Sequence, residues 1–118
     1  MREVRFRAWY EKGGYMMPVE EIDFKQMLIN KSGIWRWFGE VELMQYTGLK
    51  DKNGVYIYEG DIIEFVPFET SINNRIVKFE RGVFKAELIR NGYSVTLSEL
   101  QESEIEVIGN IYQNKDLI

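Results

Sequence analysis

Four carboxylates stand close together near the middle of the chain, Asp51, Glu59, Asp61 and Glu64. Oxygen ligands at such short spacing could hold Mg²⁺ or Mn²⁺ for metal-assisted phosphoryl chemistry. A site of that kind needs two or more of them aimed at one point. Asp61 and Glu64 are three residues apart, which places them on opposite faces of a continuous strand, and Asp51 belongs to a different turn. The preferred reading is structural: Asp51 caps the turn before Asn53-Gly54, and Asp61 accepts hydrogen bonds from backbone amides after Gly60 in an Asx-type turn. No metal and no cofactor are expected on this reading.

Other catalytic chemistries lack their reagents. The sequence holds no histidine and no cysteine, which removes the commonest general base, the commonest transition-metal ligands, the thiol nucleophile and every disulfide. Serines and threonines are present without a histidine to activate them, and no glycine-rich phosphate loop occurs. The chain is therefore expected to be non-enzymatic.

Binding chemistry is better represented. Arg5 and Arg7 share a strand face with Trp9, an arrangement that could hold a phosphate or a base, although an exposed strand face is the preferred reading. Trp35 and Trp37 flank Arg36 in a run of aromatics that could stack on nucleic-acid bases but is expected to serve core and subunit contact. Tyr46, Tyr56 and Tyr58, with Lys50 and Lys52 nearby, could present an aromatic and basic surface to a peptide or a nucleic-acid strand.

The charge balance weighs against nucleic acid. With 15 basic and 19 acidic residues the net charge is −4, the opposite of the broad basic footprint such proteins need, so only a local patch remains. Charges are mixed along the chain, with no block of like sign. No apolar run approaches the roughly 18 residues that span a bilayer, and the N-terminus lacks the apolar middle of a signal peptide. The expectation is a soluble, cytoplasmic protein with no membrane association.

At 118 residues and 45% hydrophobic content the chain is expected to form one domain around one core. The elements read as β throughout. Residues 3–10 alternate, with Val4, Phe6, Ala8 and Tyr10 on one face and Glu3, Arg5, Arg7 and Trp9 on the other. Gly13-Gly14 joins this strand to a weak edge strand over 15–17, closed by Pro18. Residues 19–28 fit neither period, and a short strand and a helical turn are both open; Asn30-Lys31-Ser32-Gly33 is a turn by composition. Residues 34–38 form a strand, apolar on both faces apart from Arg36, that is either central or partly at an interface. Asn53-Gly54 predicts a type I′ hairpin with positive φ at both residues, and Gly60 should be the hinge before a strand that Pro67 stops. A polar loop follows over 69–74, then alternating strands around turns at Arg81-Gly82 and Asn91-Gly92. Ser98-x-x-Gln101 has the spacing of a capping box and predicts one helical turn before a last strand over 104–112. The tail 114–118 is expected to turn and close one end of the core. Closely spaced strands without a long helix imply a bent sheet closing into a small barrel or partial barrel.

Three separated motifs carry a family resemblance. They are Phe6-Arg7-Ala8-Trp9, then Met44-Gln45-Tyr46-Thr47-Gly48-Leu49-Lys50-Asp51-Lys52-Asn53-Gly54 with Ile57-Tyr58-Glu59-Gly60-Asp61-Ile62, and finally Val107-Ile108-Gly109-Asn110-Ile111-Tyr112. In this order, covering the chain nearly end to end, they resemble the YopX family. The resemblance implies an SH3-type small β-barrel, encoded by a bacteriophage or prophage, that self-assembles into oligomers. It carries no catalytic residues. Gly48, Asp51, Asn53, Gly54, Glu59, Gly60, Asp61, Gly109 and Asn110 then stand as the family's structural signature. One departure is the tail, where Lys115 follows Asn114 in a place commonly taken by proline. The expected partners are other copies of the chain and a host or phage protein, with a nucleic acid disfavoured by the acidic charge.

Overall fold

The structure, a computed structural model, describes residues 3–65 and 74–118. The expected strand end at Val66 and Pro67, and all but the last residue of the expected loop over 69–74, lie outside the described residues. The chain divides into two compact units, Met1–Tyr46 and Thr47–Ile118. Strands and short 3-10 turns make up the described residues, as the alternating patterns require. Among them no helix is long and apolar enough to cross a membrane.

In the first unit, β1 (Phe6–Tyr10) lies between β2 (Tyr15–Pro18) and β6 (Val41–Lys50), antiparallel to both. A second, three-stranded sheet follows the order β3 (Glu21–Asp23), β4 (Leu28–Lys31), β5 (Ile34–Trp37). Ala8, Met17 and Ile29 form the buried centre, with Val19, Ile22, Phe38, Val41 and Leu43 packed around them. The stretch 19–28 proves to hold both features left open by its sequence: strand β3, then a turn in which Asp23 Oδ1 accepts the Gln26 N–H at 2.9 Å. That turn ends on Met27 at φ 61.

Two expectations for this unit are corrected. Trp9 was placed on the open face of β1 but is only 7% exposed, its indole N–H donating to the Glu11 carboxylate. An aromatic ring is too large to leave in water where a neighbouring strand can cover it. Conversely β5 is not central. It is the edge of its sheet, with Ile34, Trp35 and Trp37 all exposed.

In the second unit, five strands run in the order β11 (Ser94–Thr96), β10 (Val83–Leu88), β9 (Asn74–Glu80), β8 (Asp61–Phe65), β12 (Ile105–Asn110). Neighbours are antiparallel throughout. The last four residues of β6 run beside β7 (Tyr56–Tyr58). Ile57, Ile63, Val77, Ala86, Leu97 and Ile105 converge on one buried cluster. Side chains from one face of so many strands meet at a single centre only if the sheet curls, and it does so as a half-barrel.

The turns carry a second correction. Asn53-Gly54 is not a type I′ pair, because only Gly54, at φ 81, is left-handed. Gly54 N–H donates to Asp51 C=O at 3.0 Å and Asp51 N–H to Val55 C=O at 2.8 Å. This is a three-residue loop ending in a left-handed residue. The Asx bonds of Asp51 favour the longer loop. Two-residue turns with positive φ at both positions occur instead at Ser32-Gly33 (51 and 83) and Arg81-Gly82 (52 and 78). There the flanking registers, Lys31↔Ile34 and Glu80↔Val83, leave room for no more. The first is clamped by Glu20, whose carboxylate accepts from the Ser32 N–H (2.8 Å) and hydroxyl (3.0 Å) and faces Lys31 at 3.1 Å. The hydrogen bond from Lys31 and those from Ser32 hold the Glu20 carboxyl below its usual range.

The capping box is also absent. A 3-10 turn does form, over Leu97–Glu99, but its N-cap is Thr96 and no side chain caps it. Leu97 is drawn into the core, which starts the turn one residue early. The tail makes its expected short turn over Lys115–Leu117, yet Ile118 is exposed and closes nothing.

The curled sheet should fail first at its centre. Ile105→Ala is expected to lower unfolding free energy by about 2–5 kcal/mol, whereas Ile118→Ala should stay within about 0.5 kcal/mol, both read from urea denaturation.

Candidate functional site

The signature residues gather in the second unit around one carboxylate. Asp51, 5% exposed, accepts three backbone N–H groups: Asn53 at 2.8 Å and Val55 at 2.9 Å on Oδ1, and Val107 at 3.0 Å on Oδ2. Lys52 N–H donates to Ile105 C=O at 2.9 Å beside it. The turn after β6 is thereby tied to β12. Asp51 caps its own turn as expected; the bond to Val107 has no signature in the sequence.

Asp61, 1% exposed, accepts from Tyr58 N–H at 2.8 Å. This bond runs back across the turn, where the sequence suggested amides after Gly60. Gly60, at φ 90, donates its N–H to Val77 C=O at 2.7 Å and accepts the Ile111 N–H at 2.9 Å, so the expected hinge is pinned to two neighbours. Glu59 lies in the same turn, half-buried. Gly48, at φ 88, lies within β6. Just before it Thr47 donates its hydroxyl to Ile57 C=O at 2.7 Å and accepts the Leu49 N–H at 3.2 Å.

The third motif is built the same way. Asn110 Oδ1 accepts from Tyr112 N–H (3.0 Å) and Gln113 N–H (2.9 Å), while its own N–H donates to Asn114 Oδ1 at 3.0 Å. A Cβ on Gly109 would stand 2.6 Å from Asn114 Cγ, so glycine is required there by close approach and not by φ. The register slips between Val107 and Gly109, a bulge that turns the chain toward this loop. Asn114 was not among the residues singled out from sequence; the Asn-x-x-x-Asn spacing was its only sign.

The carboxylates proposed as metal ligands do not come together. Asp51 and Asp61 are each bonded to backbone amides, and among the described residues no group of three carboxylates converges.

The binding candidates separate into buried and open. Tyr46 is 5% exposed and belongs to the interior of the first unit, correcting the expectation that it offers a contact surface. Tyr56 and Tyr58 flank the buried Ile57 on β7 and are half-buried on its opposite face. The Lys50 ammonium sits 4.9 Å from the Tyr56 ring centroid. Arg5 is exposed and ion-paired with Glu3, and Arg7 is half-buried. Arg36 lies 4.3 Å over the Tyr10 ring and donates to the Tyr15 hydroxyl at 3.4 Å, which raises its pKa further. With Trp9 covered and Arg36 held by two tyrosines, these residues form no continuous arginine and aromatic face. Trp35 and Trp37 remain, on one face of β5, 45% and 57% exposed.

Residues 5–118 match the family described as YopX protein. The chain belongs to the YopX family. A crystal structure of protein EF1440 from Enterococcus faecalis is 26% identical, covers 99% of each chain and superposes with a TM-score of 0.70. The crystal structure of protein yopX from Bacillus subtilis is 21% identical over 100% of this chain and 99% of that one, with a TM-score of 0.61, a likeness of fold. Comparison with curated proteins gives no match. Within this YopX-family chain the signature residues are those that shape turns and bind backbone.

Gly109 offers a direct check on that role. Gly109→Ala should displace Asn114 and destabilise by about 1–3 kcal/mol. Gly39→Ala, where nothing lies within 4 Å, should be neutral or stabilising by up to about 1 kcal/mol. Thermal or urea unfolding of the two variants separates the outcomes.

Proposed function

We propose that this YopX-family chain is a non-enzymatic binding module, phage- or prophage-encoded, that assembles with copies of itself in the bacterial cytoplasm and through that assembly engages a host or phage protein. The observation that carries the reading is β5. An edge strand with two tryptophans side by side on its open face, and Ile34 exposed beside them, is costly to leave in water. Tryptophan is also the residue most enriched where protein surfaces bind tightly.

The edge is partly guarded, which suits a defined contact better than open-ended aggregation. Trp37 N–H donates to Glu40 Oε1 at 2.9 Å, so that backbone donor is withdrawn from any added strand. The absence of a general base in the sequence and the engagement of Asp51 and Asp61 by backbone amides favour binding over catalysis.

Light scattering on the eluting protein tests this reading. The expected result is a mass that is a whole multiple of the chain mass at micromolar concentration, falling to the monomer in Trp35→Ala/Trp37→Ala with unchanged circular dichroism. A monomer at every concentration for the unaltered protein would overturn self-assembly.

A further inference from the structure

A pocket of about 240 Å³ opens within the second unit, lined by Thr47 and Leu49 of β6, Gly82, Val83 and Phe84 at the β9–β10 turn, and Thr96, Leu97 and Ser98 after β11. It belongs to none of the signature bonds except through Thr47, whose hydroxyl is already engaged twice. Its floor is the buried Leu97, and Leu49 and Phe84 pack on the same core. The Phe84 ring stacks on Phe79 at 4.7 Å between centroids and 28° between planes.

We propose that this pocket binds an uncharged phenolic ring. Three properties select that class. No charged side chain lines the pocket, and desolvating an unpaired charge there would be prohibitive, so the ligand is neutral. The wall is a stacked aromatic pair, against which a further ring packs edge-on or offset with gain beyond its area. The hydroxyls of Thr96 and Ser98, among the lining residues, make no hydrogen bond within the described structure, and together they suit one ligand hydroxyl that both donates and accepts. Size agrees: an apolar cavity of about 150 Å³ already takes up benzene, and this space is larger and open on one side. An apolar pocket with a few convergent polar groups is the usual form of a small-ligand site. The site is separate from β5 and stands whether or not the chain self-assembles.

The phenol could be a free small molecule or a tyrosyl side chain of a partner polypeptide. The test is titration of the ¹⁵N-labelled protein with p-cresol, followed by amide chemical shifts. Saturable shifts confined to Gly82, Phe84, Leu97, Ser98 and their neighbours are expected, with toluene binding roughly 2- to 10-fold more weakly for want of the hydroxyl. Thr96→Val/Ser98→Ala should abolish the preference for p-cresol over toluene, and Val83→Trp at the rim should abolish both, with thermal unfolding showing that each variant folds. N-acetyltyrosinamide arriving at the same residues as tightly as p-cresol places the ring on a polypeptide; p-cresol binding without it places the ring on a free molecule. No lining shifts at millimolar p-cresol, or toluene binding equally well, would overturn the proposal.

Discussion

The carboxylate of Asp51 is buried with three backbone N–H groups on it, two from its own turn and one from Val107, 56 residues further along. A buried anion must be compensated, and backbone amides that would otherwise be orphaned supply the compensation. The arrangement decides where the β6–β7 turn stands relative to β12, the strand that completes the curled sheet. Gly54, Gly60 and Asp61 then follow as consequences. The loop must end left-handed to bring Val55 N–H onto Oδ1. The next turn must place Gly60 between Val77 and Ile111, and Asp61 closes it on Tyr58.

Much of this was visible in the residues. Strict alternation located the strands from β8 to β12, and the carboxylates of the central stretch could be assigned to turns because aspartate beside glycine has a local hydrogen-bonding use. The turn type was not legible. Asn-Gly favours a two-residue loop on its own, yet the Asx bonds of Asp51 impose a longer one, while Ser32-Gly33 and Arg81-Gly82 adopt positive φ because strand register leaves them two residues. Burial of aromatics was least legible, since period 2 says which residues share a face and not which face is covered. Hence Tyr46 and Trp9 are interior while Trp35 and Trp37 are open.

The functional picture changes with that distribution. The most recognisable stretch of the chain is scaffold: its polar groups bind backbone and position strands. What is left to meet a partner is a tryptophan-bearing sheet edge in the first unit and a neutral, hydroxyl-bearing pocket in the second. Neither lies among the residues whose types first suggested chemistry, apart from the two tryptophans. Family likeness to EF1440 and yopX extends over nearly the whole chain, which fits a shared scaffold.

Native-state hydrogen exchange at the Val107 amide in Asp51→Asn tests the role of Asp51 most directly. Asparagine keeps one acceptor oxygen for the turn but sets an NH₂ against the other donor. The account predicts that Asn53 and Val55 amides remain protected while Val107 exchanges at least about tenfold faster, the equivalent of roughly 1.4 kcal/mol. Unchanged protection at Val107 would contradict it, and with it the claim that this one carboxylate joins the two ends of the second unit.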